Sequence, residues 1–275
     1  MTVTSVRRPA THPPLPLWSG ARPAQATPLA ASLTFLARGL LELRRVPEQA
    51  ADAVLIPIIF TVLFTYLFGG ALAGSTSNYL QFLLPGTLVM TALLVTVYAG
   101  VGLNADKTRG VIDRFRSMPV WTPAHVAGVL LTEGVRSLVA AAIVIAVGVT
   151  MGFRPHGGIT GTLFAVAIVV VFSVSLAWVW AAIGLMLRSP AAVSTLSFVV
   201  QFPLVFASNV FVDPKTMPGW LHAFVDVNPV SLLVTAVRHL MAGTASGAEV
   251  AWVLIASTAI STLFAALTMR LYRAA

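Results

Sequence analysis

The 275-residue sequence contains no cysteine, which excludes disulfides, thiol nucleophiles and cysteine-based metal sites. It is also poor in charge. Asp, Glu, Lys and Arg make up 9% of the residues, against about 25% in an ordinary soluble domain. A chain with so few charges cannot cover a water-facing surface. Its 57% hydrophobic residues and mean hydropathy of +0.89 suit a bilayer instead. There is no G-x-x-x-x-G-K-[ST] stretch to cradle ATP phosphates and no H-E-x-x-H pair. The histidines, His12, His125, His156, His222 and His239, are read as scattered through tails and loops, and the nine acids do not cluster. No catalytic constellation results, so the chain is expected to be no enzyme and to bind neither metal nor cofactor. The net charge of +8 would fit nucleic acid only on a soluble surface. Here the basic residues sit in short connectors between apolar runs, as membrane proteins place them.

Residues 1–31 are expected to form a flexible cytoplasmic tail. Prolines 9, 13, 14, 16, 23 and 28 break any signal-peptide core. Residues 32–275 are expected to form one all-α integral membrane domain. A spanning helix needs about 20 mostly apolar residues. Six segments qualify, at about 52–72, 80–103, 125–152, 160–187, 191–212 and 250–269. Thirteen Lys and Arg residues fall in one set of connectors and three in the alternate set, which places both termini in the cytoplasm.

Two segments are too polar or too short to span. Residues 32–46 carry Leu33, Leu36, Ala37, Leu40 and Leu41 on one helical face, with Thr34, Arg38, Glu42 and Arg45 on another. That pattern predicts an amphipathic helix lying in the membrane interface. Residues 214–243 predict short external re-entrant helices, the second with Asn228 as N-cap, Pro229 at its first position and Gly243 as C-cap. Within the spans, Glu133 and Arg136 are three apart on one helical face. They predict either a structural ion pair or a role in transport coupling. Gln201, Pro203 and Asn209 in the fifth span are candidates for a polar route or a gate at a proline kink, with helix–helix hydrogen bonding as the plainer reading. Trp178 and Trp180 predict an interfacial aromatic belt.

One interior segment runs against the composition. Residues 104–120, NADKTRGVIDRFRSMPV, hold four of the seventeen basic residues and two of the nine acids. Val111, Ile112, Phe115 and Met118 fall on one helical face, and Arg109, Asp113 and Arg116 on another. Asp106 is placed to cap the start and Pro119 lies near the end. A topology anchor would explain Lys107 and Arg109, but not apolar Phe115 and Met118 among the charges. Gly110, Asp113, Arg114, Phe115, Arg116 and Pro119 resemble the loop pattern of ABC-2 type transporter permeases of the daunorubicin-resistance group, in which many members carry Glu where this chain has Asp113. The likeness extends over nearly the whole chain, including the six spans and the NPVS…R stretch before the last.

The resemblance implies the permease half of an ABC exporter in a bacterial cytoplasmic membrane. Two permease chains, as homodimer or heterodimer, would pair with two copies of a separate ABC ATPase that holds ATP and magnesium. A coupling helix at about 105–118 would dock on that ATPase, with Asp106, Arg109, Gly110, Asp113, Arg114, Phe115, Arg116, Met118 and Pro119 as its residues. Residues 32–46 would be a connecting helix, with Arg38, Glu42 and Arg45. The cargo would be a hydrophobic or amphipathic antibiotic, drug or lipid. The alternatives are export of a cell-envelope polysaccharide or glycolipid, or a six-span protein that transports nothing. The topology has a direct check. A cysteine at Ser117 should label only from the cytoplasmic side and one at Ser246 only from outside; the reverse pattern overturns the orientation.

Overall fold

The computed structural model describes residues 27–45, 47–117 and 121–274. Among these the chain is helical without strands. The helices are α1 (Pro28–Arg45), α2 (Pro47–Ala73), α3 (Thr76–Val95), α4 (Val97–Thr108), α5 (Val111–Arg116), α6 (Ala124–Thr150), α7 (Gly158–Met186), α8 (Pro190–Phe206), α9 (Gly219–Val227), α10 (Pro229–Ala242) and α11 (Gly247–Ala274). Local chemistry sets several starts. Ser75 and Ser189 accept hydrogen bonds from the backbone N–H of Asn78 and Ala192, capping α3 and α8. Asn228 caps α10 through the Val230 N–H at 2.9 Å, and Gly243 ends that helix in the left-handed region.

Four helical stretches are long and apolar enough to cross a membrane: Thr76–Thr108, Ala124–Thr150, Gly158–Met186 and Gly247–Ala274. The first comprises α3 and α4, joined at Thr96. A fifth crossing is counted if α9 and α10, bent by 78° at Asn228, act as one broken span. The two other expected spans are shorter apolar helices, Leu55–Ala71 within α2, and α8. The expected fifth span to residue 212 is therefore too long by the structure, where helix ends at Phe206. Pro203 offers no N–H to the last turn, and Asn228 Nδ2 donates to the carbonyls of Leu204 and Ala207 at 2.8 and 3.2 Å. A distant side chain thus supplies the partner that a further helical turn would have supplied.

The Thr76–Thr108 span is the axis of the bundle. In its most apolar 18-residue stretch 78% of the residues are buried, against 11% in that of α11. Leu83, Leu84, Leu88, Val89 and Leu93 on it are all within 1% of fully buried. Trp180 is 1% exposed and packs inside the bundle, which corrects its assignment to an interfacial belt. The outer faces stay apolar: Ile59, Tyr66 and Leu67 on α2, Phe198 on α8, and Ile255 and Leu263 on α11 are more than half exposed. Patches of that extent are unusual on a soluble monomer, and lipid is their natural solvent.

Span Thr76–Thr108 meets α7 backbone to backbone. A Cβ on Gly184 would strike the Gly100 carbonyl, and one on Gly100 would strike that of Trp180. Small residues permit such an approach, which gives apolar helices close packing where lipid supplies no hydrophobic drive. Next to this contact, Asn104 Nδ2 donates to the Gly184 and Leu187 carbonyls at 2.7 and 2.8 Å, and Lys107 Nζ reaches that of Leu185. These bonds satisfy the terminal carbonyls of α7 from a neighbouring helix. Gly184→Ala is expected to cost about 1–3 kcal/mol through overpacking and to lower the unfolding midpoint in detergent. Gly102→Ala, where an added Cβ meets nothing within 4 Å, should leave the midpoint unchanged.

Candidate functional site

The charged segment 104–120 divides between two helices. α4 continues through Asp106 to Thr108. Gly110, with φ of +69°, then turns the chain into the six-residue α5. Asp106 therefore does not cap the coupling helix, as the sequence pattern had it. It lies in the last turn of α4, and the N-cap of α5 is Gly110, which makes no side-chain cap bond.

Asp106 instead joins three helices. Its Oδ1 accepts from Arg38 Nη2 of α1 at 2.7 Å, and its Oδ2 lies 3.0 Å from His125 Nε2 of α6. The other ring nitrogen of His125 lies 3.1 Å from the Tyr272 hydroxyl of α11. His125 is 2% exposed and Tyr272 1%. Both Asp106 oxygens and both imidazole nitrogens are thus engaged, as buried polar groups require. The hydrogen bond to Asp106 raises the Arg38 guanidinium above its ordinary pKa, against partial desolvation.

Three rings join α5 to the same junction. Phe115 of α5 stands edge-on to Phe35 of α1 at 5.0 Å and to His125 at 5.1 Å, and Phe35 lies 5.2 Å from His125. The separations suit edge-to-face aromatic packing. Arg38 adds its guanidinium over the Phe115 ring at 5.3 Å. Ile112, one turn earlier, is 2% exposed and packs among Ala99, Leu103 and Val126. α1 is able to approach α6 because Gly128 faces the Phe35 backbone, where a Cβ would collide. The apolar face of α5 is therefore spent inside the protein, while Arg109, Gly110, Asp113 and Arg114 are exposed. Met118, Pro119 and the side chain of Arg116 lie outside the described residues.

The remaining expected residues fall in two groups. Glu133 and Arg136 form the anticipated ion pair, Oε1 to Nη1 at 2.7 Å, with Arg136 stacked over Tyr98 at 4.8 Å. They line a cavity of about 290 Å³ together with Arg38, Glu42, Asp106 and Arg109, which brings them beside residues expected to form the coupling and connecting helices. Arg45 is exposed at the end of α1. Gln201, Pro203 and Asn209 belong elsewhere. Gln201 is 3% exposed with neither amide atom hydrogen-bonded, and Pro203 is exposed in α8. Asn209 donates to Thr235 Oγ1 at 2.8 Å and, through its carbonyl, accepts from Arg238 Nη2 at 2.9 Å.

His125, Tyr272 and Phe35 are the site members that the sequence reading missed. His125 is not in a tail or loop but second in α6, and His222 and His239 lie on α9 and α10. The only available signal was a histidine opening a long apolar helix.

Among the described residues, an all-helical bundle with lipid-type outer faces and a short charged helix wedged against its spans defines an integral membrane protein with an exposed polar segment. The comparisons give its family. Residues 31–242 match the family model "ABC-2 type transporter", and the chain belongs to that family. It is 48% identical over 94% of its length, and 91% of the relative's, to "Daunorubicin resistance ABC transporter permease protein DrrB1" of Streptomyces coeruleorubidus. It is 24% identical, over 78% of its length and 80% of the relative's, to "Probable doxorubicin resistance ABC transporter permease protein DrrC" of Mycobacterium tuberculosis (strain ATCC 25618 / H37Rv). It is 25% identical, over 74% and 71%, to "Putative transport permease ycf38" of Cyanophora paradoxa.

Asp106→Asn leaves Arg38 without its carboxylate partner and weakens the bond to His125. It is expected to cost about 1–3 kcal/mol of stability, seen as a lowered unfolding midpoint in detergent. A double-mutant cycle with Arg38→Met should show non-additivity. Additive effects would mean that the pair is not coupled.

Proposed function

We propose that this chain is the permease subunit of an ATP-driven exporter in a bacterial cytoplasmic membrane, moving a hydrophobic or amphipathic antibiotic, drug or lipid outward. In this reading α2 and α8 cross the bilayer with the four longer spans. Both termini and α5 lie in the cytoplasm, and α9 and α10 form an external re-entrant hairpin. ATP and magnesium belong to a separate ATPase present in two copies, and a second permease chain, identical or a sister, completes the transporter. The name of the 48% identical relative supports the drug-resistance exporter.

The observation that carries the proposal is the packing of Phe115. A six-residue helix is too short to hold itself. α5 is held by Ile112 and Phe115, so force on its exposed face passes into the junction of Phe35, His125 and Asp106. From there it reaches α1, α4, α6 and α11 at once. The ATPase would meet Arg109, Asp113 and Arg114, which point outward, while Phe115 would be the transmitting contact rather than the docking one. Arg38 and Glu42 of the connecting helix and Arg136 with Glu133 line the adjacent cavity and would respond to the same displacement. Gln201, with an unsatisfied amide near Pro203, remains the candidate gate in α8.

Docking and transmission separate experimentally. Arg114→Glu should abolish co-purification of the ATPase. Phe115→Ala should keep co-purification but reduce cargo efflux about tenfold, equivalent to about 1.4 kcal/mol. Normal efflux in both variants would overturn the proposal, as would ATP hydrolysis by the purified chain alone.

A further inference from the structure

The end of the bundle opposite α5 holds a second cavity, of about 170 Å³. Its position follows from α10, which meets the start of α7: the Gly157 N–H donates to the Met241 carbonyl at 2.8 Å. The end of α7, by contrast, meets Asn104 beside the coupling segment. The walls come from five separate parts of the chain. Asn209 follows α8, Pro214 lies in a 3-10 turn, Asp226 is on α9, Ser231 and Thr235 are on α10, and Glu249 and Trp252 are on α11.

The lining has one chemical sense. Asp226 and Glu249 are carboxylates, and among the described residues no Lys or Arg lines the cavity. Arg238 lies nearby on α10, but its guanidinium is held by the Phe82 and Asn209 carbonyls and over the Phe82 ring at 3.9 Å. Asp226 is met by His222 at 3.2 Å and Glu249 by His239 at 2.9 Å. Two further polar groups, each 4% exposed, have no partner: the Asn209 side-chain oxygen and the Ser231 hydroxyl. The Asn209 amide nitrogen is already used on Thr235, which leaves its oxygen to accept. Trp252 flanks the cavity, 62% exposed.

Carboxylates, an unpaired amide oxygen, an unpaired hydroxyl and an indole together select a cation that donates hydrogen bonds. Among the described residues no group of three or more His, Asp or Glu side chains is arranged to hold a metal ion. At about 170 Å³ the space is below the roughly 300–1,000 Å³ of a site for a whole drug-sized molecule, so it takes a head group with the remainder outside. We propose that this cavity binds the organic ammonium group of an amphiphile, with the amine between Asp226, Glu249 and the Asn209 oxygen and the attached body against Trp252. The ammonium has two sources, an amine-bearing cargo or an aminophospholipid. The first rests on the exporter reading above and makes the cavity an exit-side station.

The absence of native cysteine makes the test clean. Ser231→Cys in the full-length protein, in non-ionic detergent micelles, is labelled with a cationic trimethylammonium methanethiosulfonate and with an anionic sulfonate one. Clefts of one sign raise the local counter-ion concentration by about 10–10³. The cation-to-anion rate ratio should therefore exceed that at Thr244→Cys, outside the cavity, by about tenfold or more. It should fall to that baseline when Asp226→Asn and Glu249→Gln are added. A ratio already at baseline, or untouched by those changes, overturns the proposal. Leu232→Cys on the same wall replaces Ser231→Cys should the latter not fold. Protection by doxorubicin but not N-acetyl-doxorubicin identifies an amine-bearing cargo. Protection by phosphatidylethanolamine but not phosphatidylglycerol identifies lipid. Protection by neither means a water-filled hollow and overturns the ligand assignment. The reagent ratio does not depend on transport, so its failure is distinguishable from a failure of export in cells.

Discussion

The Asp106 carboxylate holds together one end of the bundle. Each oxygen is committed to a different helix, and through His125 the chain of bonds continues to the last turns of α11. The two halves of this arrangement differ in strength. The Arg38 side chain is 40% exposed, so solvent screens its attraction to Asp106. The His125 side chain is 2% exposed, and there a lost partner would leave a dry polar group unpaid. The buried half therefore contributes more to holding the geometry than the exposed half does.

The aromatic triangle complements that network by different physics. Phe35, Phe115 and His125 hold one another by dispersion and ring quadrupoles, without directional hydrogen bonds. Such contacts tolerate sliding better than a carboxylate with fixed partners does. α5 is therefore attached to a bundle held by hydrogen bonds through a softer apolar joint.

Much of the fold was legible in the sequence because the signals were local. Hydropathy located the long spans to within a few residues, and Asn228, Pro229 and Gly243 marked both ends of α10. The pattern in 104–120 separated Ile112 and Phe115 from Arg109 and Asp113, as their burial shows. It could not tell whether the apolar side met a partner protein or the chain's own α1 and α6, since amphipathicity reports a buried face and not its neighbour. Asp106 was misread for a similar reason. Its position fits an N-cap, but the carboxylate serves residues 68 positions earlier and 19 later. Tyr272 and His125 are 147 residues apart, beyond any local pattern.

The early end of α8 was hidden from the sequence in the same way. A helix that stops within an apolar layer exposes carbonyls that water cannot reach, and each unsatisfied one costs several kcal/mol. Hydropathy alone therefore carried the fifth span on to residue 212. Asn228 removes that penalty from outside the helix, as Asn104 does for the last turn of α7. The same asparagine also caps α10, so a single side chain satisfies the end of one helix and caps the start of another, at the residue where α9 and α10 bend by 78°. Helix length in this protein is thus decided partly by polar side chains on other helices. The short α8 leaves residues 207–213 free to turn back and carry Asn209 to α10.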